Sequence, residues 1–336
     1  MKARNRTTFA LVAIVAAMAL AGGYAPRSVS AVAGGGAANE TPDAARSQAD
    51  NGRSPDFEIQ GPGGSEMPNA APRTGFAPVN GLNMYYEIHG TGQPLVLLHG
   101  AFSGIGTSFG TALPGLATTR QVIGVELQAH GRTADIDPPL RIEHMADDTA
   151  ALLRHLGIER ADIFGYSMGA SVGLALVIRH PELVRKLVFA SATYNLDGIQ
   201  PGLLEGLDGL RVEDMAGTPW QEEYARIAPH PENWPRLIEK YKDMNKHLVE
   251  WPSDAIRSIK APVLIVIGDS DLTVPEHAVE MFRLLGGGVF GDTPAGLPNS
   301  RLAVLPGTSH VSLVYQADLL LSIIPRFLDA PMPDAR

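Results

Sequence analysis

The chain has 336 residues, 45% of them hydrophobic, and carries a formal net charge of −9 at pH 7. This length and apolar content suit one large core rather than two full-sized enzymes. Nucleic-acid binding depends on clustered Lys and Arg, and the acidic sequence has no such stripe. The lack of cysteine excludes disulfides, thiolate metal sites and a cysteine nucleophile. Because no histidine spacing such as HExxH occurs either, we expect no metal and no other cofactor.

The N-terminus has the features of a signal peptide. Three basic residues within the first six positions precede an unbroken apolar run over Phe9–Ala21. A bilayer span requires roughly 20 apolar residues, more than this run provides, and Ala19-Leu20-Ala21 matches a small-x-small cleavage site. We therefore predict a signal peptide over residues 1–21 and export to the periplasm or the medium. An uncleaved N-terminal anchor is the alternative, since apolar residues resume at Tyr24.

A low-complexity segment follows the predicted signal peptide. Residues 22–75 are rich in Gly, Ala, Pro, Ser and Asn and include three consecutive glycines at 34–36. They contain too few large apolar side chains to offset the entropy lost on ordering the chain. We predict a disordered spacer here, followed by one catalytic domain over residues 76–336.

The predicted domain begins with a hairpin and continues as an alternation of strands and helices. A short strand from Phe76, an Asn80-Gly81 turn and a second strand over Leu82–His89 are typical of a β-hairpin. Apolar runs that suit strands buried on both faces then alternate with helical stretches such as Ile142–Leu156. The runs are Pro94–Leu98, Gln121–Leu127, Ala161–Phe164, Leu187–Ala190, Val263–Ile267 and Leu302–Leu305. This order predicts an α/β fold, a mostly parallel doubly wound sheet whose first strands are antiparallel.

The alternation is interrupted over residues 194–255, which contain all three tryptophans and no strand-like run. An insertion at this point would lie as a helical cap over the carboxyl edge of the sheet. We expect Trp220, Trp234 and Trp251 to line an apolar substrate pocket under the cap. Packing of the cap onto the domain is an equally good interpretation of these three residues.

The motif GYSMG, residues 165–169, follows a predicted strand and leads into a helix of small residues. A nucleophilic serine on a sharp strand-to-helix turn needs small residues two positions before and after it. Gly165 and Gly169 meet that need, so Ser167 is the candidate nucleophile. An ordinary Gly-Ser turn is the alternative, and the strand-turn-helix setting argues against it.

A serine hydroxyl becomes a good nucleophile when a histidine, itself oriented by an acid, takes its proton. GDSD at 268–271 and GTSH at 307–310 each follow a predicted strand, at the edge where Ser167 should lie. His310 is therefore the candidate base. Spacing alone leaves Asp269 and Asp271 open as the acid, because side chains two apart in an extended segment point to the same side.

The negative charge that develops on a carbonyl oxygen during acyl transfer needs donors already in place. One candidate is the amide of Met168, directly after the serine, and the other is the amide of Ala101 in the loop after the strand ending at Leu98. Phe102, next along this loop, is expected in the substrate pocket. His99 is expected to brace the loop by hydrogen bonding.

From Phe76 to Leu328 the chain resembles the α/β-hydrolase superfamily. The matching signatures are HG at 99–100, HGRT at 130–133, GYSMG, GDSD followed by Val274-Pro275, and PGTSH at 306–310. The resemblance implies a triad of Ser167, Asp271 and His310, since the superfamily's acid usually lies three residues after the glycine that ends its strand. It also implies a serine rather than an aspartate nucleophile.

Two features depart from the superfamily's pattern. Glu126 stands where many relatives have Asp, and residues 285–300 form a Gly-rich insertion before the last strand. The insertion matches GxGxxG at 286–291, but it follows a helix, whereas a dinucleotide site requires this motif after a strand. We interpret the insertion as a loop.

These residues predict a serine hydrolase that cleaves a carboxylic ester through an acyl-serine intermediate. The same triad also serves C–C bond, lactone and amide hydrolysis and peracid formation, and these reactions are the alternatives within the fold. A non-catalytic binding protein with this fold is the alternative outside enzymes. We expect a small apolar ester as the substrate, no nucleic-acid partner, and no stable membrane span after signal cleavage.

Overall fold

The computed structural model describes residues 71–294 and 296–332. The predicted signal peptide and nearly all of the predicted spacer lie outside the described residues. The first strand begins at Arg73, slightly before the expected start of the domain at Phe76, because Arg73, Thr74 and Gly75 pair with the end of the second strand.

The described residues form one sheet of eight strands. The strands are β1 (Arg73–Val79), β2 (Leu82–His89), β3 (Gln93–Leu98), β4 (Arg120–Val125), β5 (Ala161–Tyr166), β6 (Val184–Ala190), β7 (Val263–Ser270) and β8 (Arg301–Ser309). Their order across the sheet is β1-β2-β4-β3-β5-β6-β7-β8. β2 pairs antiparallel with β1 and β4, and the remaining neighbours are parallel. The predicted mostly parallel sheet with antiparallel first strands is confirmed.

Helices cover both faces of the sheet. They are α1 (Ile105–Phe109), α2 (Leu113–Leu116), α3 (Ile142–His155), α4 (Met168–Arg179), α5 (Leu203–Asp208), α6 (Pro219–Ile227), α7 (Trp234–Asn245), α8 (Ser253–Ser258), α9 (Pro275–Leu284) and α10 (Ala317–Asp329). The core containing α3, α4 and α9 lies on one face, and the core containing α1, α2 and α10 lies on the other. Along β3, Val96 and Leu98 enter the first core while Leu95 and Leu97 enter the second. This two-sided burial explains why the central strands are continuous apolar runs.

The segment between β6 and β7 contains α5 to α8, and we call its helices α5, α6 and α7 the cap. Where the segment leaves and rejoins the sheet, Trp251 N–H donates to the Tyr194 carbonyl at 2.9 Å. Helix α7 is held by the buried side chains of Trp234, Leu237 and Ile238, which follow helical spacing. Within the described part of the chain, no helix is both long enough and apolar enough to cross a membrane.

The Gly-rich segment 285–300 connects α9 to β8, and its described residues contain neither helix nor strand. Gly286 and Gly288 have φ of +83° and +73°, conformations that glycine adopts without strain. The GxGxxG match therefore lies in a loop that follows a helix, as the sequence context predicts.

Candidate active site

Ser167 lies on a sharp turn between a strand and a helix. It is the single residue between the end of β5 at Tyr166 and the start of α4 at Met168. Its φ of 54° and ψ of −120° are unusual for a residue with a side chain and cost about 1–3 kcal/mol. Its N–H donates to the Ala190 carbonyl at 2.9 Å, which ties the turn to the end of β6. The turn therefore sits at the carboxyl edge of the sheet, where loops from other strands can reach it.

The two glycines that flank Ser167 are required by close backbone contacts. A Cβ atom on Gly165 would lie 2.3 Å from the carbonyl oxygen of Gly169. A Cβ atom on Gly169 would lie 2.0 Å from the carbonyl oxygen of Leu98 on β3. These distances are far inside van der Waals contact, so any other residue would force the strand and the helix apart.

The structure brings the three candidate catalytic side chains into one hydrogen-bonded chain. Ser167 Oγ lies 3.0 Å from His310 Nε2, and His310 Nδ1 lies 2.9 Å from Asp271 Oδ1. Asp271 directly follows β7 and His310 directly follows β8. The carboxyl ends of three parallel strands thus bring the candidate nucleophile, base and acid to one point.

Asp271 is 5% exposed, and both of its carboxylate oxygens accept hydrogen bonds. Oδ1 accepts from Leu272 N–H at 2.7 Å, and Oδ2 accepts from Ser191 Oγ at 2.5 Å and from Gly268 N–H at 3.1 Å. Burial acts to raise the pKa of Asp271, but the hydrogen bonds from His310, Ser191 and Gly268 outweigh it, so the pKa lies below its ordinary value. An ionised Asp271 can hold the proton of His310 on Nδ1 and leave Nε2 free to accept one.

Asp269 has a different role in the structure. Its carboxylate accepts hydrogen bonds from Gly307 N–H at 2.8 Å and from Thr308 N–H at 3.2 Å. These bonds hold the end of β8 against β7, just before His310. The register between β7 and β8 shifts after Gly268. Beyond this point the side chains of Asp269 and Asp271 no longer have to point to the same side, as they would in a regular strand. Of the two, only Asp271 contacts the imidazole of His310.

Sequence reasoning did not identify two residues that support the imidazole and its acid. Ser191, which donates to Asp271, has a φ of +54° at the end of β6. Tyr166 donates from its hydroxyl to the His310 carbonyl at 2.8 Å, and its ring stacks on the imidazole with centroids 5.3 Å apart. Tyr166 occupies the variable position of GYSMG, and Ser191 lies in no motif, so only their contacts reveal these roles.

We call residues 99–104, which follow β3, the oxyanion loop. A Cβ atom on Gly100 would lie 3.4 Å from Ser167 Cβ, which places the loop beside the candidate nucleophile. Ala101 lines the same cavity as Ser167, and the next residue, Phe102, has a φ of +62°. Met168 opens α4, so its amide belongs to the first helical turn, where N–H groups have no acceptor within the helix. Both residues whose amides are the predicted donors therefore lie close to the serine.

His99 is fully buried and braces the oxyanion loop. Its Nε2 accepts from Leu127 N–H at 3.0 Å, so its Nδ1 carries the proton and donates to the Gly100 carbonyl at 2.8 Å. Burial, with a smaller effect of nearby His130, lowers the pKa of His99 to about 3. His99 therefore stays neutral, and both of its ring nitrogens hold backbone.

Glu126, the departure noted in the sequence, is fully buried just after β4. Its carboxylate accepts from Arg132 N–H at 2.5 Å and from the Arg132 guanidinium at 2.9 Å. Burial raises the pKa of Glu126 to about 7, against the opposing effect of Arg132. The carboxylate thus holds the HGRT segment, residues 130–133, against the end of β4 by hydrogen bonds to Arg132.

Two cavities meet at Ser167. The larger, of about 500 Å³, contains Ser167, Asp271 and His310 together with Ala101. Its apolar wall is made by Phe102, Leu203, Leu207, Leu210, Met215 and Trp220. The smaller, of about 100 Å³, contains Ser167, Met168 and Trp251. Leu203, Leu207 and Tyr241 of the cap line both cavities, so the two cavities adjoin under the cap.

The four predicted pocket residues have different positions. Phe102 and Trp220 line the larger cavity, and Trp251 lines the smaller one. Trp234 lines neither cavity, contrary to our expectation, because it is 5% exposed and packs between Phe102 and Tyr224 at ring distances of 5.9 and 5.1 Å. It supports the cavity wall from behind, as the packing interpretation of the tryptophans predicts.

No Lys or Arg is found among the described residues that line either cavity, and Asp271 is their one carboxylate. Within residues 71–294 and 296–332, no cluster of three His, Asp or Glu side chains is arranged to hold a metal ion. The arrangement offers a nucleophile, a base, backbone donors and apolar walls, which together suit acyl transfer on an uncharged substrate.

The chain belongs to the α/β-hydrolase fold family, because the family model described as alpha/beta hydrolase fold matches residues 93–317. The predicted fold and family are thus confirmed, and the chain is a hydrolase of this fold. It is 25% identical over 267 residues to "Putative carbamate hydrolase RutD" of Azorhizobium caulinodans, covering 73% of this chain and 94% of that protein.

Other similar proteins have different named activities. The chain is 34% identical over 124 residues to 2-hydroxymuconate semialdehyde hydrolase of Pseudomonas sp. strain CF600, covering 36% of this chain and 42% of that protein. Its structure matches the enol-lactonase from Burkholderia xenovorans LB400 with a TM-score of 0.59 at 20% identity, covering 76% of this chain and all of that one. The shared property is the hydrolase fold, and the substrates differ.

Proposed function

We propose that this protein is a serine hydrolase that cleaves an uncharged carboxylic ester through an acyl-serine intermediate. The observation that carries the proposal is the hydrogen-bonded chain from Ser167 through His310 to Asp271 at the floor of an apolar cavity. A serine with only a structural role at the end of a strand would not require a histidine partner that is itself bonded to the buried carboxylate of Asp271.

In the first half-reaction, Ser167 Oγ attacks the ester carbonyl carbon while His310 Nε2 takes the hydroxyl proton. The carbonyl oxygen becomes an oxyanion that accepts hydrogen bonds from the amides of Ala101 and Met168. When the C–O bond breaks, His310 returns the proton to the departing alkoxide, and the alcohol leaves. In the second half-reaction, His310 takes a proton from water, whose oxygen attacks the acyl carbon, and Ser167 recovers its proton as the acid leaves.

The cavity walls support an apolar, neutral substrate. Phe102, Trp220 and the cap leucines offer contact to an acyl chain or an aromatic alcohol. A substrate carboxylate would be moved from water into a cavity with no lining Lys or Arg, which is costly for an unpaired charge. We therefore propose medium-chain or aromatic esters over acetate, and neutral over anionic acyl groups.

Other reactions of the same triad remain competitors, namely lactone, amide or carbamate, and C–C bond hydrolysis and peracid formation. The names of the relatives include carbamate hydrolase, semialdehyde hydrolase and enol-lactonase. Matched ester, lactone, carbamate and vinylogous diketone substrates, together with acetate plus hydrogen peroxide, would rank these activities by kcat/KM.

The proposal is tested with a fluorophosphonate probe and p-nitrophenyl esters. The wild type should be labelled once, and Ser167→Ala should lose both labelling and ester turnover while keeping its melting temperature. Ser258→Ala, at an exposed position on α8, is the matched control and should behave as wild type. Labelling of the Ser167→Ala protein, or no labelling of the wild type, would contradict the proposal.

The substrate class is tested by two p-nitrophenyl esters with acyl chains of equal length. The butyrate should be cleaved with a kcat/KM at least about 100-fold above that of the hydrogen succinate, because the latter carries a carboxylate that the cavity cannot pair. Equal values would exclude a substrate pocket made by the two apolar cavities.

A further inference from the structure

The oxyanion loop is held from two sides. On the side of the sheet, Gly100 N–H donates to Ser108 Oγ at 3.2 Å, and Ser103 Oγ donates to the Gly100 carbonyl at 2.7 Å. With the bonds of His99, these contacts fix the start of the loop to the body of the domain. At the other end of the loop, Ser103 Oγ lies 2.7 Å from Ser108 Oγ and the Gly104 carbonyl accepts from Ser108 N–H at 3.2 Å. The Gly104 N–H and the Phe102 ring instead contact the cap.

The cap holds that other end by a buried carboxylate. Glu223 on α6 is 8% exposed, and its Oε2 accepts from Gly104 N–H at 3.0 Å and from Thr107 Oγ1 at 2.5 Å. Thr107 Oγ1 also accepts from Gly104 N–H at 3.0 Å, so Gly104, Thr107 and Glu223 are all hydrogen-bonded to one another. One side chain of the cap thus reaches across to a backbone amide three residues after Ala101.

The cap makes a second contact with the loop through Phe102. The Phe102 ring packs on Tyr241 and Trp234 of α7, with centroid distances of 4.5 and 5.9 Å. A side chain at a φ of +62° is costly, so these contacts help to keep Phe102, and with it the peptide that follows Ala101, in this conformation. The loop has cap contacts at Phe102 and Gly104, on the C-terminal side of the predicted donor.

Gly104 lies close to two carboxylates, one of which is that of Glu223. A Cβ atom on Gly104 would lie 3.0 Å from Glu223 Oε2 and 3.2 Å from Glu126 Oε1, so a carboxylate of the cap and one of the body flank the same backbone position. A buried carboxylate is costly unless it is hydrogen-bonded. Glu223 therefore favours the docked cap only when Gly104 and Thr107 present their donors to it.

We propose that Glu223 is a positioning residue that couples the cap to the oxyanion loop, so that the Ala101 amide is in place for the oxyanion when the cap is docked. This inference rests on the proposed function, since it concerns the same site. Substrate that fills the cavity under the cap would then also order the donor that the reaction requires, which is a physical route to induced fit.

The test compares Glu223→Ala with Glu223→Gln and with Asp243→Ala as a matched control. Asp243 on α7 also joins the cap to the body, through Arg141 at 2.8 Å, but does not touch the oxyanion loop. Active sites are counted with the fluorophosphonate probe, and kcat and KM are measured with p-nitrophenyl butyrate. Affinity is measured for a trifluoromethyl ketone, whose serine adduct carries an oxyanion, and for the matching methyl ketone, which binds without forming that adduct.

Loss of one oxyanion donor costs about 10²–10³ in kcat, and a displaced donor should cost less. We expect kcat of Glu223→Ala to fall about 10- to 100-fold and its trifluoromethyl ketone affinity to fall in parallel. The KM and the methyl ketone affinity should change little. Glu223→Gln keeps an acceptor oxygen and should recover most of the loss, and Asp243→Ala should match the wild type.

Thr107→Val provides a second variant in case Glu223→Ala does not fold. It removes one of the two donors to Glu223 and should reduce kcat and trifluoromethyl ketone affinity by a smaller, parallel factor. A rise in KM with unchanged kcat, or equal behaviour of the Glu223 and Asp243 variants, would overturn the inference while leaving the triad intact. Failure of the proposed function is distinct, since the wild type itself would then lack Ser167-dependent turnover.

Discussion

The two ends of strand β5 bury polar groups in opposite ways. At its amino end, the fully buried Asp162 is shared by Arg120 at 3.0 Å and by Arg185 at 2.5–2.8 Å. At its carboxyl end, Ser167 has a strained backbone conformation. Its hydroxyl lines a cavity and is hydrogen-bonded to His310. The amino end has both carboxylate oxygens of Asp162 paired within the protein, whereas at the carboxyl end Ser167 lines an open cavity.

The neighbouring strand shows the same contrast. Lys186, near the start of β6, is 1% exposed and donates to the carbonyls of Phe327 and Leu328 at 2.9 and 3.1 Å. It thereby anchors the last turn of α10 under the sheet. Ser191, after the end of β6, instead donates to the acid that orients His310. Asp162 and Lys186 at the amino edge thus bond to other parts of the fold, whereas Ser191 at the carboxyl edge bonds to a residue of the candidate site.

The largest expected effect is on catalysis at the carboxyl edge. Asp271→Asn should lower kcat by about 10⁴-fold, because an amide no longer holds the useful tautomer of the imidazole. Asp269→Asn should cost far less, since Asp269 accepts hydrogen bonds from Gly307 N–H, Thr308 N–H and Ser270 Oγ rather than from His310. Both variants are compared by kcat with p-nitrophenyl butyrate at about pH 8, above the ordinary pKa of histidine.

The difference between the two aspartates is the critical result. If Asp269→Asn is the inactive variant and Asp271→Asn retains turnover, the acid has been assigned to the wrong residue. Melting temperatures of both variants would show whether either loss of turnover reflects unfolding.

The next effect is on stability at the amino end. Asp162→Asn should lower the free energy of unfolding by about 3–5 kcal/mol, because it leaves Arg120 and Arg185 without their shared carboxylate. Turnover per phosphonate-titrated active site should remain at the wild-type value. Urea denaturation measures the first quantity, and active-site-normalised kcat measures the second.

Asp147→Asn is the matched control for Asp162→Asn. Asp147 pairs with Arg179 and His180 at the surface, where an ion pair contributes about 0–1 kcal/mol. A similar loss of stability in both variants, or a loss of normalised kcat in Asp162→Asn, would remove the distinction between the two ends of β5.

The smallest effect concerns Glu126, a buried carboxylate at the carboxyl edge whose partner is Arg132. Its pKa is about 7 in the folded protein, against 4.5 as the ordinary value. Between these values the folded state binds the proton and the unfolded state does not, so this group's contribution to stability falls as pH rises. Glu126→Gln removes that dependence.

The free energy of unfolding of Glu126→Gln relative to wild type should therefore increase from about pH 5 to about pH 8. The expected increase is about 1–3 kcal/mol, since one pKa unit corresponds to about 1.4 kcal/mol. Urea denaturation at the two pH values measures it. A difference that is constant with pH would mean that burial does not hold the Glu126 proton.

The elements of the fold could be predicted where their signal is local. Central strands buried on both faces give continuous apolar runs, and the Asn80-Gly81 turn marks the first hairpin. The start of β1 was less predictable, because Arg73 to Gly75 are mostly exposed and are ordered by pairing with β2 rather than by their own composition. The end of a strand that is ordered by pairing alone has no apolar pattern in its sequence.

The candidate site was predictable to the extent that its residues follow strands. Ser167, Asp271, His310 and Ala101 lie in loops or turns that follow strands, and Met168 begins the helix after the serine turn. A parallel sheet collects these strand ends at one edge. The pocket was less predictable. An aromatic residue in the cap can line the cavity, as Trp220 does, or pack behind the cavity wall, as Trp234 does, and both positions are apolar, so the sequence pattern does not distinguish them.

The amino-acid sequence alone predicts the alternation of strands and helices, the serine turn with its two glycines, and the acidic and histidine loops that follow later strands. These features are encoded locally, in apolar periodicity and in the backbone demands of single positions. The folded chain adds contacts that the sequence does not reveal. Asp271 contacts His310 while Asp269 pairs with backbone, Ser191 and Tyr166 support the imidazole and its acid, and Glu223 reaches the oxyanion loop. Each of these depends on a distance between segments far apart in the chain, which no local pattern specifies.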